Sequence, residues 1–224
     1  MHTALGQVVE LMLDNGLRHA RIACPANLIP APGQYLIAGH ASDSPLPVSL
    51  FYTDSAPQGF VASAPIPEIW TPGLELSLRG PLGRGFSLPA AARKVALIAF
   101  DDAPSRLRGL IVPALKQGAA VVLVTDFDSD SYPDAVEIHP SSSLGEVLEW
   151  ADYAAFDVLR ENLPELRECL GGMKQAWVGK EAQVIIRTPV PCGGIADCGI
   201  CAVMLKSGPR MACQDGPVFD LKEI

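Results

Sequence analysis

Hydrophobic and polar positions follow two different rhythms along the 224 residues. Up to about residue 90, short runs rich in β-branched and aromatic residues alternate with segments of Pro, Gly, Ser and Asp. Gln7–Leu13 and Leu17–Ala23 flank Asp14-Asn15-Gly16, the signal for a tight hairpin. Further strand-like runs follow at Gln34–Ala38, Val48–Thr53, Gly59–Ser63 and Leu74–Arg79. Short strands at this spacing predict a small antiparallel barrel or sandwich. Closing the barrel also removes its exposed edges.

The rhythm changes after Arg93-Lys94. Val95–Phe100 and Ala120–Thr125 are continuous apolar runs of the kind buried on both faces of a parallel sheet. Between them a helix is expected to about Gln117, with Asp102 as cap, Pro104 at its start and Gly118 as its stop. Pro113 lies inside that span and is expected to kink or shorten it. Strand, helix and strand in this order make a βαβ unit. Leu144–Trp150 and Asn162–Leu170 then read as helices, and Tyr153–Val158 and Ala182–Arg187 as strands. The expected organisation is a β domain over 1–90, an α/β domain over 93–188, and a cysteine-bearing segment over 189–224.

Composition narrows the function classes. The chain is 49% hydrophobic, enough for a sizeable core, and its formal net charge is −8. Such a balance supplies no phosphate-neutralising stripe and argues against nucleic acid. No run approaches the ~18 apolar residues of a membrane span, and the first residues lack an export signal. A cytoplasmic location is the expectation, where thiols stay reduced.

The densest chemistry is in the tail. Cys192, Cys198, Cys201 and Cys213 are spaced C-x5-C-x2-C-x11-C. Plant-type [2Fe–2S] ferredoxins use C-x4-C-x2-C and a distant fourth cysteine, one residue shorter in the first gap. Gly193, Gly194, Ala196 and Gly199 are small enough to bring backbone amides close to cluster sulfurs. Zinc is the alternative, although structural zinc sites usually pair two short C-x2–4-C knuckles and only Cys198 and Cys201 form one here. Cys24 and Cys169 read as small core residues. His2, His19, His40 and His139 are scattered without metal-ligand spacing. Asp126–Asp130 lacks the Gly and distal Glu of a calcium loop and reads as a solvated turn.

Barrel, α/β domain and four-cysteine tail, in that order, resemble the ferredoxin-reductase-type electron transfer subunit of dihydroorotate dehydrogenase. The motifs that carry the resemblance are Pro32-Gly-Gln-Tyr35, Gly80-Pro-Leu-Gly-Arg-Gly-Phe86, the four cysteines, and Cys213-Gln-Asp-Gly-Pro-Val-Phe219. The resemblance implies that Cys192, Cys198, Cys201 and Cys213 ligate a [2Fe–2S] cluster. It implies FAD as a second cofactor, with Ser49 and Gly83 among its contacts, and a partner oxidoreductase subunit that bears FMN. In that family the electrons pass between a pyridine nucleotide and the partner, which oxidises dihydroorotate in pyrimidine biosynthesis.

Two of the family's anion sites are altered. The Arg-x-Tyr-Ser strand of the flavin site is matched by Leu46-Pro-Val-Ser49, and a leucine cannot donate to a phosphate. A Gly-x-Gly-Thr phosphate loop is replaced by Ala62-Ser-Ala-Pro-Ile-Pro67. The turn after the first α/β strand reads Phe100-Asp-Asp-Ala-Pro-Ser105, which sets carboxylates where a dinucleotide fold needs glycines. The retained shape motifs favour FAD and the lost anion contacts oppose it; tight NAD(P)H binding is not expected. The leading expectation is an electron-transfer subunit working in a hetero-oligomer. The alternatives are a non-redox scaffold holding zinc and a self-contained NAD(P)H-dependent flavin reductase.

Overall fold

A computed structural model describes residues 2–14, 16–40, 46–63, 65–101, 103–127 and 132–224. The first six strands are β1 (His2–Asp14), β2 (Leu17–Ala23), β3 (Tyr35–Gly39), β4 (Val48–Ala56), β5 (Gly59–Ser63) and β6 (Glu75–Leu82). They close into a barrel in the order β1-β2-β5-β4-β3-β6, every pairing antiparallel. Closure runs through the long first strand, whose beginning pairs with β6 (His2 opposite Gly80) and whose end pairs with β2. Alternate side chains turn inward. Val8, Ile22, Leu36, Leu50, Phe60 and Leu78 thus fill one core.

The second half contains β7 (Lys94–Ala99), α1 (Ile111–Lys116), β8 (Ala120–Val124), β9 (Val136–His139), α2 (Leu144–Trp150) and β10 (Tyr153–Leu159). It continues with α3 (Leu163–Gly172), α4 (Lys174–Trp177) and β11 (Glu181–Arg187). The helix expected from Pro104 to Gln117 is shorter than its pattern. Two 3-10 turns, Pro104–Arg106 and Arg108–Leu110, precede a six-residue α1. Pro113 falls in the first turn of α1, where its missing N–H would have had no partner anyway. Ala103, not Asp102, is the residue at the start of the first turn, and Asp102 lies outside the described residues. So do Asp128–Asp130 of the acidic turn.

The tail adds β12 (Ala202–Leu205), β13 (Gly208–Met211), α5 (Ala212–Asp215) and β14 (Val218–Asp220). The six-stranded sheet has the order β14-β11-β10-β7-β8-β9. Its five central and right-hand strands are mutually parallel, and β14 joins the edge antiparallel to β11. The cysteine segment therefore completes the sheet as well as following it. From β7 the chain moves outward to β8 and β9, then returns to the other side at β10. The switch in direction lies between β7 and β10, the place where open α/β sheets form their ligand crevice.

Barrel and sheet share a small core of their own, formed by Tyr35, Ile37, Phe51, Ile185 and Val218. Burying each such side chain is worth about 1.5–3 kcal/mol, so this seam holds the two halves and the tail in one register. No helix among the described residues is long and apolar enough to cross a membrane.

Candidate functional site

The cysteine loop leaves β11 at Arg187 and reaches Cys192 within five residues. Left-handed backbone at Gly193, Gly194, Ala196 and Gly199 (φ 68°, 82°, 60° and 70°) curls it tightly. The curl aims amides at sulfur: those of Gly194, Ile195 and Asp197 donate to Cys192 Sγ, and that of Ala196 donates to Cys213 Sγ. Burial pushes the Cys192 thiol up, but the amide donors and the Cys198 thiol outweigh it and hold it well below the usual thiol range. Burial pushes Cys213 up, and its hydrogen bond with Cys201 raises it further. Cys201 and Cys213 are buried, Cys192 is half-buried and Cys198 is exposed.

The thiols influence one another: Cys198 lowers Cys192, and Cys201 and Cys192 raise Cys213. Among the described residues no three His, Cys, Asp or Glu side chains gather tightly enough for one metal ion. A single tetrahedral zinc needs such a group. A two-iron cluster needs two thiolates per iron, with N–H donors for its sulfurs. Four thiols with amide donors beside them are the donor set that a [2Fe–2S] group would use.

The barrel seats this loop. The Tyr35 hydroxyl, buried at the seam, donates to the carbonyl of Cys213 at 2.9 Å, and the Arg79 guanidinium donates to the carbonyl of Gly193. A side chain at Gly194 would meet the Tyr35 hydroxyl at 3.0 Å. Gly83, carried over above as a flavin contact, packs beneath Gly216-Pro217, where a Cβ would stand 2.7 Å from the Gly216 carbonyl. Arg84 pairs with Pro217 beside it. The two glycine motifs of the barrel and the Asp215–Phe219 turn thus form one joint behind the cysteines. Sequence reasoning missed Tyr35 and Arg79 in this role, although Tyr35 closes the Pro32–Tyr35 motif.

A cavity of about 730 Å³ opens beside the loop, between the start of β4, the segment 65–68 and the exit of β11. Ser49 and Phe51 line it, together with Arg106, Arg187 and Val190. Pro47 belongs to both places, lying on the cavity wall and near Gly193. The residues present do not fit the diphosphate of FAD. Leu46 projects to solvent, 58% exposed. Pro65 and Pro67 offer no N–H to a phosphate. Both arginines are already engaged: Arg187 Nε meets Asp157 at 2.7 Å and another of its nitrogens meets Asp101, while Arg106 meets Asp157 at 3.4 Å and lies over the Phe51 ring.

Asp101 also occupies the switch between β7 and β10. Its carboxylate accepts from the Leu159 amide at 2.7 Å and from Asn162 Nδ2 at 2.9 Å. Asp101 thus spends its carboxylate on donors of the protein itself. It ties together the C-terminal ends of β7, β10 and β11, the side of the sheet where dinucleotide folds place their ligand.

The remaining candidates stay apart. His40 bonds the Glu75 carbonyl, His139 lies 3.6 Å from Glu137, and His19 is buried in the β1–β2 hairpin. Cys24 and Cys169 are half-buried, and burial raises both thiols, Cys24 to about 11.

No family model matches the chain. Several solved structures share its fold. The NADH-dependent reduced ferredoxin-NADP oxidoreductase, studied for flavin-based electron bifurcation, superposes with a TM-score of 0.73 at 16% identity. The match covers 99% of this chain, cysteine tail included, and 90% of that one. The ferredoxin reductase of carbazole 1,9a-dioxygenase matches 77% of this chain and 64% of its own, with a TM-score of 0.58 at 19% identity. The FAD/NAD-binding domain of a nitric oxide dioxygenase from Vibrio cholerae matches 83% and 98%, with a TM-score of 0.56 at 14% identity. The fold is that of the ferredoxin-reductase-like proteins, an antiparallel barrel followed by a parallel-sheet α/β domain.

Proposed function

We propose that the chain is an electron-transfer subunit that holds a [2Fe–2S] cluster on Cys192, Cys198, Cys201 and Cys213 and serves a partner flavin oxidoreductase. The observation that carries this reading is the four thiols of one tight tail segment, with backbone amides donating to Cys192 and Cys213. Such a cluster supplies one-electron oxidation and reduction. The chain's own residues hold the thiolates, keep water from Cys201 and Cys213, and leave Cys198 at the surface. Ile195 and Ile200, 60% and 47% exposed, flank that edge and offer apolar area to a partner. The fold's likeness to flavin-dependent reductases supports a redox setting. The finer reading, an FMN-bearing dihydroorotate-oxidising partner, rests on the motif resemblance.

Metal and sulfide analysis of an anaerobic preparation tests it. About two irons and two acid-labile sulfides per chain are expected, with a red-brown colour. A colourless, sulfide-free protein loaded with zinc would show the scaffold reading to be correct. In a reconstituted complex, Cys198→Ser is expected to abolish electron transfer while the circular dichroism of barrel and sheet is retained. Intact transfer by that variant would remove the relay role.

A further inference from the structure

The cavity beside the cysteine loop has a chemistry of its own. Four of the residues on its wall, Pro47, Pro65, Pro67 and Pro189, carry no N–H. Val48, Ile66, Leu159 and Val190 supply apolar area between them, and the hydroxyls of Ser49 and Thr188 are its neutral polar groups. The positive charge of Arg106 and Arg187 is matched by Asp157 and Asp101. Glu68 and Glu161, both exposed, add negative charge at the rim. A backbone hydrogen bond, and more weakly Arg160, keeps the Glu161 carboxyl below its ordinary range, so it is ionised at neutral pH.

A phosphate entering here would lose its hydration, find no donor loop, and pass two carboxylates. A flat uncharged ring meets none of these penalties. Its faces can lie on the apolar walls and its edge can reach two hydroxyls. The volume of about 730 Å³ accommodates two or three fused rings. We propose that this cavity is a binding site for an uncharged fused-ring compound with hydrogen-bonding groups on its edge and no phosphate. The site thus departs from the dinucleotide-binding mode that its fold would suggest. The proposal does not depend on which metal the tail holds.

Lumiflavin, riboflavin, FMN and FAD form a graded probe set, with one ring system and increasing phosphate. The full-length protein is titrated with each, and ring fluorescence is followed at low salt and at about 0.3 M salt. Riboflavin and lumiflavin are expected to bind about tenfold more tightly than FAD at low salt, with FMN between them. Salt should narrow the gap by screening Glu68 and Glu161. The double variant Glu68→Gln/Glu161→Gln should strengthen FMN and leave riboflavin unchanged, and both substitutions are at exposed positions. Ser49→Trp should fill the wall and remove riboflavin binding, with circular dichroism as the control for folding. FAD binding more tightly than riboflavin would overturn the proposal. So would a failure of both uncharged flavins to bind, or riboflavin binding that survives in a folded Ser49→Trp protein.

Discussion

At the scale of single residues, Gly83 is a tightly constrained position beside the cysteine segment. Its φ of 73° is left-handed, and a methyl group there would meet Pro217 Cδ at 2.6 Å as well as the Gly216 carbonyl. Left-handed backbone costs an alanine about 1–2 kcal/mol, and overpacking adds about 1–3. Gly83→Ala is therefore expected to lose roughly 2–5 kcal/mol in denaturant unfolding, by the sum of those two effects. Because Cys213 precedes the displaced Gly216-Pro217 turn by only a few residues, the same variant should also lose iron from an anaerobic preparation. A variant that unfolds like the parent would mean that the joint yields freely. Tyr35 serves the same joint from the other side, and its hydroxyl leaves the Cys213 carbonyl satisfied in a buried place.

At the scale of elements, the β1–β2 hairpin contains a buried titratable group. His19 is 7% exposed, and its Nδ1 has no hydrogen-bond partner. Burial holds its pKa below the ordinary 6.5, helped by Arg108 and Arg106 and opposed by Asp14. The unfolded chain therefore binds a proton that the folded chain refuses, and stability falls as pH drops below about 6.5. His19→Gln should remove this dependence, so that between pH 7.5 and 5.5 the parent loses about 1 kcal/mol more than the variant in urea unfolding. Equal losses would place the acid sensitivity elsewhere. The strands around His19 were legible in the sequence because their side chains alternate between core and solvent, and Asp14-Asn15-Gly16 marked their turn. The sheet strands were legible for the opposite reason, since Val95–Ala99 and Val121–Val124 are buried on both faces. Two strands of the six-stranded sheet were not. Val136–His139 has only Val136 buried, so its pattern is that of an exposed loop. Val218–Asp220 is too short to show a period, and its place beside β11 depends on contacts far away in the chain. The four cysteines stood out as a candidate site by their spacing, whereas their seat on Tyr35 and Arg79 required the fold.

At the scale of the whole molecule, the decisive feature is a charge cluster at the C-terminal ends of the parallel strands. Asp101, Asp157, Arg106 and Arg187 join the ends of three strands to the wall of the barrel cavity. The side chains of Asp157 and Arg187 are 2% and 9% exposed, so this is a buried charge cluster. Such clusters add little net stability when complete but cost about 3–5 kcal/mol when one partner is removed. Evolution toward a dinucleotide site would require dismantling it, because Asp101, in the turn that follows β7, is one of its members. On the proposed reading, electrons would be exchanged with a partner at the exposed edge around Cys198, and a pyridine nucleotide would not bind at the sheet. The consequence is measurable as a missing ligand effect. A nucleotide site of 10 μM affinity would add about 2.7 kcal/mol of stability at 1 mM NADH, by mass action. We expect no shift in Tm at that concentration and no NADH oxidation by the isolated chain, whereas Asp157→Ala alone should lower Tm by many degrees. A rise of several degrees on adding NADH would mean that the charge cluster opens to admit the nucleotide, and the electron route would then begin in the sheet.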